Sequence, residues 1–256
     1  MKNFWRWTLA VCLALLPPRW KPWVYRRLLG YQIGPGVRIG LSLFVGVKQC
    51  GIGRNTRIGH FNLFIHIDEL KIGESVRIGH LNIFRGGRRV EIRDYATILR
   101  LNVFNSIPDA EVVNPTEPTL ELGTASVVTT GHWLDFTDRI TIGDHTILGG
   151  RNSSLWTHNR QRTRPIRIGH HCYLGSDIRI APGVVVPPFC IVSLGAVLMD
   201  RFEQEFSLIG GNPARVLRPL TERDLFLVTH KTRPDLPGEV ARELLPDRLK
   251  GPPDRE

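Results

Sequence analysis

Residues 52–71 read IGRNTRIGHFNLFIHIDELK, and residues 72–91 read IGESVRIGHLNIFRGGRRVE. Three more rows of the same length follow: IRDYATILRLNVFNSIPDAE from Ile92, LGTASVVTTGHWLDFTDRIT from Leu122 and IGDHTILGGRNSSLWTHNRQ from Ile142. They stack without gaps except for an insertion at residues 112–121, before the fourth row. Self-similarity at a fixed period marks a solenoid, in which one coil cannot bury its apolar face until a neighbour covers it.

The columns carry the argument. The first column holds Ile52, Ile72, Ile92, Leu122 and Ile142, and the seventh holds Ile58, Ile78, Ile98, Val128 and Leu148. A small or β-branched residue lies between them: Thr56, Val76, Ala96, Ser126, Thr146. The thirteenth column, Phe64, Phe84, Phe104, Leu134 and Ser154, reads as a third inward face. An aliphatic residue recurring every six positions excludes a helical period of 3.6. Three such hexapeptides make a triangular coil, and equivalent corners stack about 4.8 Å apart. Each buried Ile or Phe contributes about 1.5–3 kcal/mol, so the ladders alone can hold the prism.

These rows, with PIRIGHHCYLGSDIRIAPGVVV from Pro165 and GGNPARVLR from Gly210, resemble the left-handed parallel β-helix acyltransferases of the hexapeptide-repeat superfamily, sugar and glycan O-acetyltransferases above all. The likeness spans residues 30–219. It implies an all-β, left-handed parallel β-helix with short helical segments at both ends. It also implies acetyl-CoA as co-substrate, transfer to a sugar hydroxyl and a homotrimer with each site between two subunits. The expected organisation is a basic, Trp-rich segment over residues 1–32, the β-helix over 33–206, and a turn, short helices and a fraying tail over 207–256.

Composition bounds the rest. The chain has 256 residues, 42% of them apolar, and a formal net charge of +10. No acidic residue precedes Asp68, whereas Lys2, Arg6, Arg19, Lys21, Arg26, Arg27, Arg38, Lys48, Arg54 and Arg57 do. Trp5, Trp7, Trp20 and Trp23 share that segment. Cations and indoles beside an apolar run are the composition of an anionic membrane interface. No nucleic-acid module accompanies the charge, so nucleic acid is not an expected partner. The apolar run 7–16 is too short to span a bilayer, which needs about 20 residues. The expectation is a cytoplasmic protein peripheral to the membrane, with the N-terminal helices also covering the open end of the prism. Cys12, Cys50, Cys172 and Cys190 show no metal or disulfide spacing.

Acyl transfer to a hydroxyl requires a base, and histidine suits that role at neutral pH. By resemblance the base is His158, in Trp156-Thr157-His158 just before a loop and the P-I-x-I-G return. Register suggests Asp138 as its carboxylate partner, because both occupy row position seventeen. His132 interrupts a column of Asn62, Asn82, Asn102 and Asn152 and is the alternative base, with Asp135, Trp133 and Asn152 as acceptor contacts. His60 and His80 share a column with Arg100 and read as solvated stacking. No spaced triad of histidines suits zinc, so no metal is expected. By resemblance the donor is held by Ser176, Ser193, Gly195, Arg215 and Arg218. Met199-Asp200 stands where relatives carry Thr-Lys, so by resemblance one phosphate contact is missing or moved to Arg201. The competing functions are acyl transfer to a soluble acceptor and a non-catalytic scaffold.

Overall fold

The computed structural model describes residues 4–108, 114–159 and 162–250. Short strands form three parallel sheets that wrap one interior, with eight, ten and eight strands in turn. The first sheet begins at Gln32–Ile33, the second at Arg38–Ile39 and the third at Leu43–Val45, and each strand pairs with its counterpart one coil on. In-register pairing of identical positions, such as Leu63 with Ile83 and Phe64 with Phe84, turns the sequence columns into interior ladders. Phe44, Phe64, Phe84 and Phe104 stack face to face with centroids 4.6, 4.9 and 4.5 Å apart. The second sheet runs on past residue 206 through Ser207–Gly211, and Ala214–Pro219 closes it antiparallel.

A polar ladder runs beside the apolar ones. Asn62 and Asn82 each offer Oδ1 to the backbone N–H of the next rung at 3.0–3.1 Å, and their amides donate to Gly79 and Leu99 carbonyls. Ser42 starts the ladder below Asn62. Buried amides that satisfy every donor and acceptor strengthen one register and disfavour its neighbours.

The fifth coil departs from the twenty-residue row. Strand Ile147–Arg151 carries a bulge against Val127–Thr130, so Thr130 pairs with Arg151. From there each residue sits one place later: Leu134 pairs with Leu155 and Trp133 with Ser154. Ser154 therefore faces outward and Leu155 fills the core, correcting the thirteenth column. Ser153, not Asn152, is the rung above His132. Asn152 sits exposed at φ 61°, outside the ladder.

Helices cover the N-terminal end of the prism, and a C-terminal segment packs along its side. Helix α1 (Phe4–Leu15) buries Ala10, Leu13 and Ala14, and α2 (Lys21–Leu29) buries Tyr25 against Tyr31 and Phe44. Lys21 is fully buried with Nζ 2.5 Å from the Gly40 carbonyl, and burial lowers its pKa. It is thus removed from the surface charge of the N-terminal segment. The C-terminal segment contributes α3 (Glu222–Thr229) and α4 (Gly238–Ala241) and lies along the corner between the first and second sheets. There Arg233 donates to the carbonyls of Ser75 and Tyr95 and pairs with Asp235 at 2.7 Å. The expected fraying of the last residues, and residues 112 and 113 of the insertion, lie outside the described residues.

Candidate functional site

Two excursions leave the prism at the corner between the third and first sheets. One includes the described residues 106–108 and 114–118; the other follows His158 after strand Ser154–Trp156 and returns to Ile166–Ile168. At the base of the second, His158 bridges Thr163, and the Arg164 N–H donates to the Thr157 carbonyl at 2.7 Å. Asn114 of the first excursion accepts from the Thr163 N–H at 2.6 Å, tying the two together.

The His158 ring is both fixed in place and accessible. Its side chain is 23% exposed, and Nδ1 lies 2.9 Å from Oδ1 of Asp135. The Asp135 side chain is 1% exposed and also accepts the Thr137 N–H at 3.2 Å. A carboxylate acts only as acceptor, so it holds the proton on Nδ1 and leaves the Nε2 lone pair free. Nε2 has no hydrogen-bond partner among the described residues. The Thr157 hydroxyl donates to the Asp135 carbonyl at 2.8 Å, fixing the strand that carries the acid. Trp156 stands edge-on to the imidazole at 6.2 Å and stacks on Trp133 at 5.9 Å, both indoles half open to solvent.

Three expected placements change, all through the bulge or burial. Asp138 does not meet His158: the slip pairs Trp156 with Asp135, and the His158 ring, two residues on, reaches back to that carboxylate. Asp138 Oδ1 accepts the Arg139 and Glu117 N–H groups. Asp135, expected to contact an acceptor, is buried beneath the imidazole. His132 is the fourth histidine-or-amide rung of the interior ladder. Its N–H donates to Asn102 Oδ1 at 2.9 Å, Nδ1 accepts the Ser153 N–H at 3.2 Å, and Nε2 lies 2.9 Å from Thr129 Oγ1. Burial pushes its imidazole down to about 4, so the ring is neutral and both nitrogens are occupied. Nδ1 does for the backbone what Asn Oδ1 does elsewhere, which explains why histidine replaces asparagine in this column.

His60 and His80 stack at 5.5 Å in their shared column. His171 is buried between His145 and Phe189, and burial lowers its pKa to about 3. Among the described residues no group of three or more His, Cys, Asp or Glu converges on a metal position.

The donor candidates lie elsewhere. Ser176, Ser193 and Gly195 are at the corner between the second and third sheets. Arg201 is exposed on the third-to-first corner, like His158 but nearer the C-terminal end. Arg215 faces Asp200 at 3.5 Å, and Arg218 pairs with Asp224 at 2.6 Å. That pairing holds the Asp224 carboxyl well below its ordinary range. Thr157, Thr137, Asn114 and Thr163, which shape the loop and hold the acid, were not distinguished by sequence; only the Thr-His dipeptide before a loop pointed toward them.

No protein-family profile matches the chain, and no curated protein matches it in sequence. Among solved structures it is similar to the UDP-N-acetylglucosamine acyltransferase of Campylobacter jejuni, with TM-score 0.60 and 20% identity over 86% of this chain and 89% of that one. A hexapeptide-repeat acetyltransferase of Vibrio cholerae complexed with acetyl coenzyme A gives TM-score 0.37 at 17% identity, covering 85% and 88%. A hexapeptide transferase family protein of Anaplasma phagocytophilum gives 0.41 at 15%, covering 60% and 75%. The chain thus has the parallel β-solenoid fold found in hexapeptide-repeat acyltransferases.

Proposed function

We propose that the chain is an acetyl-CoA-dependent O-acetyltransferase acting on a sugar hydroxyl of a lipid-linked or cell-envelope glycan. The observation that carries this reading is the His158–Asp135 pair: a free Nε2 at a solvent-open corner, with its tautomer set by a buried carboxylate. In the proposed reaction the acceptor hydroxyl gives its proton to Nε2, and the oxygen attacks the thioester carbonyl. The C–S bond breaks, and the CoA sulfur takes the proton back from the imidazolium. Asp135 stays ionised and steadies the transient imidazolium. Acetyl-CoA supplies only the activated acyl group, and no acyl-enzyme forms.

The placement of Ser176, Ser193 and Gly195 on a different corner from His158 supports a homotrimer, in which the donor corner of one chain meets the base of the next. Membrane docking is supported by the N-terminal helices. Trp5, Trp20, Trp23, Leu15 and Leu28 are each more than half exposed, beside exposed Arg6, Arg19, Arg26 and Arg27. No helix of the described residues is long and apolar enough to cross a membrane. Docking on a cytoplasmic, anionic membrane face belongs to this proposal.

A scaffold without donor binding is favoured by one observation, Arg215 facing Asp200. Thermal unfolding in the presence of acetyl-CoA and CoA separates the two readings. Ligand at a hundred times its Kd adds about 2.7 kcal/mol. A saturable rise in melting temperature is expected; no rise with either ligand would leave the scaffold.

A further inference from the structure

We propose that the outer face of the third sheet, on the N-terminal side of the His158 coil, is an acceptor subsite anchored by Arg85 and built for a negatively charged glycan chain. The proposal rests on the acyltransferase reading above and adds the charge and reach of the acceptor.

Arg85, Asn105, Asp135 and Trp156 are successive rungs of one column across that sheet. Each step is about 4.8 Å, so Arg85 stands roughly 10 Å along the sheet from the acid that holds His158. Its guanidinium is exposed and has no hydrogen bond or ion pair among the described residues, and neither has the amide of half-buried Asn105. The nearby arginines are committed: Arg88 to Glu117, Arg89 to Glu91 and Arg139 to Glu117. An uncommitted guanidinium is a fork for a carboxylate or phosphate.

The neighbouring column runs Ile83, Val103, Trp133 and Ser154, with the Trp133 indole stacked on Trp156. A sugar ring has an apolar C–H face and a polar rim. A row of aliphatic side chains and an indole, one column over from a guanidinium and an amide, offers a partner to each. A groove of about 490 Å³ runs along the corner on both sides of Arg85, from His66 and Asp68 past Arg88 to Ser106 and Thr116. The geometry suits an acceptor whose reacting hydroxyl sits at Nε2 and whose anionic group lies farther along the same chain. That group is either the carboxylate of an acidic sugar or the phosphate joining a glycan to its lipid.

The test uses the full chain, wild type and the variants Arg85→Gln and Arg85→Lys. The probes are a tetrasaccharide containing uronic acid, its carboxyl-reduced neutral counterpart, and a disaccharide linked through diphosphate to a short prenyl chain. Binding is followed by calorimetry and transfer by release of CoA thiol. The expected result is an Arg85→Gln increase of about 10- to 100-fold in Kd and KM for at least one charged probe. The loss falls on KM rather than kcat, Arg85→Lys recovers part of it, and the CoA-induced rise in melting temperature persists. The charged probe that responds identifies the anion. Arg85-dependent binding without transfer keeps the subsite and removes the acyltransferase reading. Transfer to a charged probe with no Arg85 dependence removes the subsite and keeps that reading. Failure of both charged probes to bind the wild type also overturns the subsite.

Discussion

At the scale of single residues, His158 and His132 show how environment assigns a role. Both are imidazoles near the middle of the chain, but one has a free nitrogen at the surface and the other has none. Replacing His158 with Ala should lower kcat about 10²- to 10⁴-fold with folding intact, as CoA-release assays and melting curves would show. Asp135→Asn should lose up to about 10⁴-fold, because the amide no longer fixes the tautomer. His132→Asn restores the residue type of its column, so transfer activity should survive. A large loss of kcat in His132→Asn, with an unaltered melting curve, would return His132 to the list of bases.

At the scale of elements, the interior ladders behave as stacks of repeated contacts. Phe84 lies between Phe64 and Phe104, each ring within 5 Å, so Phe84→Ala opens a cavity in the middle of the stack. The expected cost is about 3–5 kcal/mol, measured by denaturant unfolding. The bulged strand is the other sensitive element. Gly150 has φ 63°, and a Cβ there would come within 1.7 Å of Ser176 Oγ. Gly150→Ala should lower the melting temperature, and it should also perturb the His158–Asp135 pairing, since the bulge sets that register. A variant as stable and active as wild type would show that the bulge tolerates another shape.

For the whole molecule, acid should be destabilising well above the pH at which carboxylates titrate. His132 and His171 have folded pKa values lowered by burial to about 4 and about 3, against roughly 6.5 in an unfolded chain. Their contribution is complete above pH 6.5 and is lost progressively as pH falls toward 4 and 3, because the unfolded state binds the protons first. Melting temperature against pH should therefore fall across that window, and His132→Asn should flatten part of the slope. The N-terminal helices give a second whole-molecule expectation. Exchanging Trp5 and Trp23 for Ser should weaken sedimentation with anionic vesicles while leaving the melting curve in place, because both indoles are exposed; unchanged partition would remove membrane docking from the proposed function.

Sequence by itself determined the solenoid, its three inward columns and the corner from which the His158 loop departs. Those features repeat, and a repeat announces its own geometry: one inward residue per strand per coil. It could not determine which carboxylate meets His158. Counting in rows of twenty aligned Asp138 with His158 and placed Asn152 in the asparagine column. A single extra residue between Leu148 and Leu155 broke that alignment. The spacing from Val128 to Leu134 is one shorter, but the sequence does not say where the surplus residue is absorbed. Only the packed structure decides that, because the bulge goes where Leu155 can fill the core and Ser153 can continue the polar ladder. The same reasoning separates His132 from His158: a histidine reads alike in sequence whether its nitrogens are spent on backbone or left for chemistry, and burial and hydrogen-bond partners exist only once the coils are stacked.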